Sequence, residues 1–390
     1  MYDVIVVGGG PAGSRVAGRL AEKGHKVLVL EKKGQPGTKS ACTGIVGMEF
    51  IAAFDIEDSL ILRKVNSARL FSPSGNILHL YRQDPQAAVL DRTAFDISMV
   101  ERAQKAGAEY MFNAHVTGVA VERDGASVTA EGKGKTQTTP ARAAVIACGF
   151  NPGLLEKLGL GMYKDYAIGT QGEAEAPHLD EVEVYFGDMA PGFFAWLVPA
   201  GQKKARAGLI TRENPGLYLK KWLAELAGAG KIASPDVPIH FGGIPLKPPP
   251  RTYGERLLVV GDAAGQVKPT SGGGIYYGLL SADIAADTLH KALEDDDLFA
   301  KRLSRYERGW RKKLGSELRT GYQARRLFER LSNRQIDRLF KMVKDGGIDE
   351  ALLKAKDVSF DWHGRTIKAL LKYQAVAKTI GRIKLPFRNV

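Results

Sequence analysis

The chain has 390 residues, of which 44% are hydrophobic and 25% charged, which is enough for more than one hydrophobic core. It contains no apolar run long enough to cross a bilayer and no cleavable leader pattern. We therefore expect a cytoplasmic protein, with peripheral attachment to a membrane as an open alternative. Cys42 and Cys148 are far apart and lack CxxC or His-rich spacing, which argues against a disulfide framework and a metal site.

The N-terminal segments alternate between strand and helix. Tyr2–Val7 predicts a strand, Ser14–Lys23 a helix and Val27–Leu30 a second strand, with a glycine-rich turn between the first two. Further along, Ala143–Ala147 and Leu257–Val260 are apolar runs typical of parallel strands buried on both faces. The pattern predicts an α/β, Rossmann-like dinucleotide-binding domain assembled from separated segments.

The intervening segments favour a second kind of sheet. Val65–Tyr81 and Tyr166–Ile210 read as strands with Gly and Pro turns, and Glu181–Phe186 alternates with period two. They predict an antiparallel sheet on the substrate side of the protein. Leu246–Pro250 cannot continue a helix or a ladder and should be an extended connector, whereas the chain from Ile284 onward is helical and basic.

These patterns predict three regions. The dinucleotide-binding domain is expected at residues 1–62, 92–155 and 251–295, the interleaved antiparallel-sheet substrate domain at 63–91 and 156–250, and a helical C-terminal region at 296–390.

The first candidate site is the motif Gly8-x-Gly10-x-x-Gly13, which follows a strand and opens a helix. Gly8 permits the tight turn, Gly10 lets the backbone approach a pyrophosphate, and Gly13 lets helix and strand pack closely. Glu31, at the end of the next strand, is placed to accept hydrogen bonds from ribose hydroxyls. The alternative, a glycine turn without a ligand, is weakened by this strand, helix and acid context.

The second candidate site is near residue 262. In Gly261–Gly265 the carboxylate of Asp262 can hold a ribityl hydroxyl, or it can cap the following helix. Three consecutive glycines, Gly272, Gly273 and Gly274, then precede a helix from Ile275 and can bring bare N–H groups against a flat ring. Only a long cofactor can touch both ends of the chain, which favours FAD over NAD.

An aromatic segment offers a substrate surface. Period-two spacing puts Phe194 and Trp196 on one side of a strand and Phe193, Ala195 and Leu197 on the other. One face could line a ligand cavity, although aromatic alternation is also common in ordinary cores.

The net charge and the basic residues near the C-terminus leave several partners open. The net charge of +13 is compatible with an anionic membrane, nucleic acid or a phosphorylated ligand. Basic residues near the C-terminus alternate with apolar ones at helical spacing, which indicates a solvated helix face, adsorption to anionic lipid or, last, nucleic-acid binding. They are Arg325, Arg326, Arg330, Arg334 and Arg338.

These features together resemble the geranylgeranyl reductase family, within the p-hydroxybenzoate-hydroxylase-like flavoproteins. The resemblance covers most of the chain and is carried by five segments. They are GGGPAGS at Gly8–Ser14, KSACTGIV at Lys39–Val46, LDRTAFD at Leu90–Asp96, PGFFAWLVP at Pro191–Pro199 and GDAAGQVKPTSGGGIYYGL at Gly261–Leu279.

The resemblance implies a set of FAD contacts. Arg92 would neutralise pyrophosphate, with an exposed ion pair to Asp91 or Asp96 as its alternative role. Cys42 would be a small, polarizable contact, or the donor of a proton to an alkene carbon. The implied contacts are Ala12, Glu31, Cys42, Thr43, Ile45, Arg92, Val116, Asp262, Gly274 and Ile275.

The activity expected from the resemblance is reduction of the C=C bonds of a geranylgeranyl chain on a lipid or a prenyl diphosphate. It implies an isoprenoid lipid substrate. No second GxGxxG unit with a following acid is visible for a resident nicotinamide, so we expect an external electron donor, with ferredoxin, NADPH and a quinol-like donor as the alternatives. An FAD-dependent aromatic hydroxylase or halogenase is the alternative enzyme on this scaffold. A flavin-bearing membrane- or RNA-binding module without activity is the alternative of another class, but no RNA-recognition motif accompanies the charge, so we expect no nucleic-acid partner.

Overall fold

A computed structural model describes residues 1–38, 41–355 and 359–372. Its helices are α1 Pro11–Ala21, α2 Met48–Ala53, α3 Arg92–Lys105, α4 Pro152–Lys157, α5 Pro215–Gly228, α6 Ile275–Glu294, α7 Ala300–Phe328, α8 Asn333–Asp345, α9 Ile348–Lys354 and α10 His363–Lys372. Short 3-10 helices cover Asp58–Leu60 and Gly261–Ala264.

The strands alternate with these helices along the chain. They are β1 Tyr2–Val7, β2 Val27–Glu31, β3 Ile45–Gly47, β4 Ile61–Val65, β5 Ser67–Phe71, β6 Ile77–Tyr81, β7 Ala87–Leu90, β8 Glu109–Phe112, β9 His115–Val121, β10 Ala126–Gly132, β11 Lys135–Ile146, β12 Tyr166–Glu175, β13 Val182–Tyr185, β14 Ala195–Pro199, β15 Lys204–Thr211, β16 Ile239–Pro245, β17 Tyr253–Gly254 and β18 Leu257–Val259.

The first sheet has the order β17-β18-β11-β1-β2-β8, and its pairs from β18 to β8 are parallel. Strand β1 lies in the middle, with Val6 between Val29 and Val145. Strand β11 also pairs antiparallel with β10, and β10 in turn pairs antiparallel with β9. The predicted Rossmann-like sheet and its parallel strands are confirmed, and its apolar runs are buried. Side chains of this sheet such as Ile5 pack in one core with Val116 of β9 and Val128 of β10.

The second sheet has the order β16-β12-β15-β14-β13-β5-β6. The pairs β12-β15, β15-β14, β14-β13 and β5-β6 are antiparallel as expected, whereas β13 runs parallel to β5. The chain leaves β6 at Tyr81 and returns to this sheet only at Tyr166, so no hairpin fixes the direction of β13 against β5. A third, small sheet has the order β3-β7-β4.

The period-two strand carries a buried acid. Glu183 is 5% exposed and accepts hydrogen bonds from the Nζ of Lys231 at 2.7 Å and from the hydroxyl of Tyr185. The buried carboxylate is thus paired and hydrogen-bonded, as a charge inside a protein must be.

The described chain divides into two compact units. The first consists of Met1–Ser40, Arg92–Tyr166 and Gly243–Leu318, and the second of Ala41–Asp91, Ala167–Gly242 and Arg319–Val390. The core of the first includes Ile5, Leu28 and Ile146 from the parallel sheet. The core of the second includes Leu209 of β15 and Trp222 of α5. The finer domain boundaries given by the sequence stay a prediction.

The helical C-terminal part begins after the acidic break at Glu294–Asp297, where α6 ends. Of the five arginines singled out above, four are exposed, but Arg325 is only 4% exposed, so the solvated-face interpretation is wrong for that residue. Residues 373–390, together with Lys39 and Ser40 of the KSACTGIV segment, lie outside the described residues. Within the described ranges, no helix has the length and apolar character needed to span a bilayer.

Candidate functional site

Two glycines of the first motif are required by the fold itself. Gly8 has φ +105°, and a Cβ there would lie 2.5 Å from the carbonyl oxygen of Ala147. A Cβ on Gly13 would lie 2.0 Å from the carbonyl oxygen of Gly8. Both distances are far below van der Waals contact, so these positions allow α1 to pack directly on the sheet.

Gly10 is different because its Cβ would meet no protein atom within 4 Å. Its backbone is extended, with φ −71° and ψ 178°, and any residue can adopt that conformation. It caps the N-terminus of α1 without a side-chain hydrogen bond. The open space therefore lies in front of uncapped N–H groups, which is the arrangement that binds a phosphate.

Glu31 stands at the end of β2 beside this helix N-terminus and is 9% exposed. Its Oε2 accepts the N–H of Gly9 at 2.7 Å, and its Oε1 accepts the N–H of Lys33 at 2.9 Å. Each carboxylate oxygen has a second lone pair, so Glu31 is fixed in place and still able to accept ribose hydroxyls.

The second motif also ends in an uncapped helix. Gly274 precedes α6 without a side-chain cap, and a Cβ there would lie 2.4 Å from Oδ1 of Asp262. Gly272 has φ +74°, so the turn needs glycine there. Burial raises the pKa of Asp262 to about 6, partly offset by the positive charge of Arg92.

Helices α1 and α6 place the two motifs at one end of the first unit. A Cβ on Gly278 would lie 3.6 Å from the Cβ of Ala12, and farther along the helices Arg19 bonds to Asp287 at 3.2 Å. Contacts advance in the same direction on both helices, so α1 and α6 run parallel and their N-termini point the same way. Two uncapped N-termini side by side suit a ligand with several phosphate or carbonyl oxygens.

A buried network that the sequence did not reveal holds the Gly261 turn. Gln266 is 0% exposed, and its Oε1 accepts the N–H of Gly261 at 2.7 Å. Its Nε2 donates to the hydroxyl of Tyr306 at 2.7 Å, and that hydroxyl donates to the carbonyl of Val259 at 2.7 Å. The polar Gln266 beside the apolar Ala263, Ala264 and Val267 was the available signal, but its partner Tyr306 is 40 residues away.

Arg92 and Val116 also lie in the first unit. Arg92 begins α3, is 9% exposed and forms an ion pair with Asp96 at 2.5 Å. The pair named as an alternative for Arg92 therefore exists, but it is buried rather than exposed. Val116 of β9 is 8% exposed and packs in the core beside the sheet.

In the second unit, Gln171 of β12 joins two predicted segments. Its Oε1 accepts the hydroxyl of Thr43 at 2.8 Å and the indole N–H of Trp196 at 3.3 Å. Arg206 of β15 donates to the carbonyl oxygens of Thr43 at 2.5 Å and Leu90 at 3.0 Å. Sequence reasoning missed Gln171 and Arg206, although a buried strand that contains an arginine was a usable signal.

The aromatic segment has the predicted sidedness. Phe193 is 2% exposed and Ala195 and Leu197 are fully buried, whereas Phe194 and Trp196 are partly exposed, with ring centroids 5.8 Å apart. Ile45, the first residue of β3, packs on the same small apolar cluster as Trp196. Cys42, three residues earlier in the chain, is partly exposed.

The first unit fits an extended dinucleotide cofactor. It offers open space at Gly10, two parallel uncapped helix N-termini and a fixed carboxylate at Glu31. Among the described residues, no group of three or more His, Cys, Asp or Glu side chains is placed to hold a metal ion.

The comparisons with known proteins agree with a dinucleotide-binding site in the first unit. Residues 2–185 match the pyridine nucleotide-disulphide oxidoreductase family. A digeranylgeranylglycerophospholipid reductase from Methanocaldococcus jannaschii is 32% identical, and the match covers 90% of this chain and 93% of that protein. The chain belongs to the geranylgeranyl reductase family. This family member is thus an oxidoreductase with a flavin cofactor.

Solved structures place the same fold in other flavoenzymes. A geranylgeranyl bacteriochlorophyll reductase-like protein from Thermoplasma acidophilum has a TM-score of 0.85 and 25% identity, with 98% of both chains covered. The halogenase PltM, solved in complex with phloroglucinol and FAD, has a TM-score of 0.68 and 15% identity, with 98% of this chain and 94% of that chain covered. At that identity the halogenase shares only the fold with this geranylgeranyl reductase family member.

Proposed function

We propose that this chain is an FAD-dependent reductase that saturates C=C bonds of geranylgeranyl chains in lipids or prenyl diphosphates. The observation that carries the proposal is the similarity to a digeranylgeranylglycerophospholipid reductase over 90% of the chain, which is far more than the dinucleotide-binding segments alone. The hydroxylase or halogenase alternative has support only from fold similarity at 15% identity.

FAD is the flavin that the first unit fits best. Glu31 suits the ribose of an adenosine half, and the helix that follows Gly274 suits a flavin ring or its phosphate at the other end. We propose these contacts from the first unit: Gly8, Gly10, Ala12, Gly13, Glu31, Arg92, Val116, Asp262, Gly272, Gly273, Gly274 and Ile275. From the second unit, the family resemblance assigns Cys42, Thr43 and Ile45 to the same cofactor.

The chain's own residues would hold the cofactor and the substrate in place. When bound, the reduced flavin supplies a hydride to one carbon of the double bond. Arg206 and Gln171 fix the backbone and side chain of Thr43, so this loop is held rigid before any ligand arrives. Cys42 stays the candidate for delivering a proton to the other carbon, at its Sγ.

Phe194 and Trp196 are proposed to line the binding surface for the polyprenyl chain. Their partial exposure contrasts with the buried Phe193, so their rings are not fully used by the core. The hydrogen bond from Trp196 to Gln171 fixes the indole and leaves its apolar face for hydrocarbon.

The partners follow from this chemistry. An external donor, ferredoxin or NADPH, would reduce the flavin, and the isoprenoid lipid would bring the protein to an anionic membrane surface from the cytoplasm.

Two experiments test the proposal. Denatured protein should release FAD rather than FMN, identified by chromatography. Dithionite-reduced protein should then be reoxidised anaerobically by prenyl substrates, more efficiently as chain length rises to geranylgeranyl, because each buried CH₂ contributes about 0.8 kcal/mol. Mass analysis should find two added hydrogens per double bond.

Variants sharpen the substrate test. Trp196→Ala should raise KM for geranylgeranyl substrates and leave FAD occupancy unchanged, whereas Leu217→Ala, at a residue 69% exposed, serves as the control and should change neither. Oxygen-dependent turnover of a small aromatic, with no reoxidation by any prenyl substrate, would establish the hydroxylase alternative instead.

A further inference from the structure

Arg325, near the end of α7, is a buried cation without an acceptor. Its side chain is only 4% exposed, and its Nε and Nη2 find no hydrogen-bond partner within the described ranges. A buried guanidinium with unused N–H groups is costly, since both its charge and its donors have left water. Such a group is expected where a bound ligand supplies the missing hydrogen-bond acceptors and the opposite charge.

The nearby carboxylate of Glu329 already forms an ion pair with another arginine. Glu329 accepts both Nε and Nη2 of Arg212, at 2.6 and 3.1 Å. The guanidinium carbons of Arg212 and Arg325 lie 5.6 and 4.2 Å from the ring centre of Phe193. Two cations therefore lie against one ring, and Glu329 is the carboxylate that acts on both, so the cluster has an excess positive charge.

Arg325 keeps its charge at neutral pH. Burial lowers its pKa to about 10; the charge of Glu329 opposes this shift and that of Arg212 adds to it. The guanidinium is still protonated at pH 7, so its need for an anionic acceptor persists under physiological conditions.

The unused nitrogens have the geometry for an oxyanion. Nε and Nη2 lie on one side of the planar guanidinium and donate in parallel, as the same atoms of Arg212 do toward Glu329. Two oxygens of a phosphate match this fork, which a point charge such as lysine cannot reproduce.

A continuous series of packed aromatic rings connects this cation with the proposed substrate surface. The Arg325 guanidinium lies 5.0 Å from the Phe328 ring, and successive rings are then 5.4, 6.3 and 5.8 Å apart. The rings, in order, are Phe328, Phe186, Phe194 and Trp196. All belong to the second unit, and together they suit a hydrocarbon chain attached to an anionic head.

We propose that Arg325 binds the phosphate or diphosphate group of a polyprenyl substrate, whose chain follows these four rings toward Trp196. The proposal rests on the proposed reductase function and adds the site of its headgroup. Because the rings of Phe193 and Phe328 cover the guanidinium, the headgroup displaces part of this cover as it binds.

The test compares two substrates that differ only in the headgroup. Geranylgeranyl diphosphate and geranylgeraniol are each used to reoxidise the reduced holoenzyme of the wild type, Arg325→Met, Arg325→Lys and the exposed control Arg330→Met. In Arg325→Met, KM for the diphosphate should rise about tenfold or more, with KM for the alcohol within about twofold. Arg325→Lys should be intermediate, and Arg330→Met unchanged.

Stability gives a second measurement. Methionine removes a buried unpaired charge and fills a similar volume, so Arg325→Met should melt no lower than the wild type. Inorganic diphosphate should raise the Tm of oxidised wild-type holoenzyme but not that of Arg325→Met.

The outcomes separate the two proposals. An equal rise of KM for both substrates, an unchanged KM for the diphosphate, or an identical Tm shift in wild type and Arg325→Met would overturn the role of Arg325. If neither prenyl compound reoxidises the wild type, the reductase proposal fails, and the Tm shift with inorganic diphosphate still decides whether Arg325 binds an oxyanion. If Arg325→Met does not fold, Arg325→Lys decides by the same two measurements.

Discussion

Two glycines of one motif should respond in opposite ways to a side chain. Gly13 supports the fold, since its Cβ would lie 2.0 Å from a backbone oxygen, whereas Gly10 has no protein atom within 4 Å. We predict that Gly10→Val leaves the protein folded without cofactor, and that Gly13→Ala destabilises the protein with or without cofactor.

The expected changes in apoprotein stability and FAD affinity follow from the backbone at the two glycines. Replacing glycine at an N-cap by an apolar residue costs about 0.5–1 kcal/mol, and the reduced entropy of the unfolded chain returns roughly 0.4–1 kcal/mol, so Gly10→Val should change apoprotein stability by less than about 1 kcal/mol. Each lost N–H bond to phosphate weakens FAD binding by roughly 1.5–3 kcal/mol, or about 10- to 150-fold. Gly13→Ala forces a backbone shift that costs at least about 1–3 kcal/mol.

The assay measures FAD occupancy by absorbance and apoprotein stability by thermal unfolding followed by circular dichroism. Gly118→Val is the matched control, since Gly118 lies in β9 of the same unit and its Cβ would have only an ordinary 3.9 Å contact with Thr129. Full FAD occupancy in Gly10→Val would refute the assignment of the open space to pyrophosphate. Unchanged stability in Gly13→Ala would refute the division of roles between the two glycines.

Three further predictions concern buried polar groups. Well below pH 4 Asp262 is protonated in both folded and unfolded apoprotein. Because burial raises its folded pKa to about 6, stability falls as pH rises from about 4 to 6, by at most about 3 kcal/mol and less since the residue is partly exposed. Asp262→Asn should lack this fall in urea titrations at pH 4 and 7.5, and an equal fall would contradict the assignment. Burial raises the pKa of Cys148 to about 11, so iodoacetamide at pH 8 should label Cys42 first, and FAD should protect Cys42; labelling of Cys42 at equal rates with and without FAD would remove it from the cofactor site. Gln266→Leu leaves the N–H of Gly261 unpaired and should lower apoprotein stability by about 1–3 kcal/mol in urea unfolding, whereas no change would show that the hydrogen bond is dispensable.

Much of the first unit could be predicted because its signals are local. Strands β1 and β2 are largely apolar runs, β1 ending directly before Gly8, and a parallel sheet buries such runs on both faces. The sidedness of Phe194 and Trp196 followed from period two alone, since it needs no knowledge of the partner strand.

The polar contacts of the second unit could not be predicted in this way, because their partners are distant in sequence. Thr43 meets Gln171 across 128 residues and Arg206 across 163. Each residue alone fits an ordinary strand or loop, and only tertiary packing brings them together. The parallel pairing of β13 with β5 has the same origin, since no turn links the two strands.

Arg325 is an intermediate case, because its helical spacing predicts a buried position whereas its charge suggests an exposed one. Along α7 the buried residues Trp310, Leu314 and Leu318 recur every fourth position, and a further seven residues leads to Arg325. Arg326, one position on, is turned about 100° around the helix and is exposed. A basic residue in register with an apolar stripe contradicts the local pattern, and such contradictions are expected where function, rather than folding, selects the residue. Read by spacing instead of by charge, the sequence alone would have indicated a buried cation at this position and hence a site for an anion.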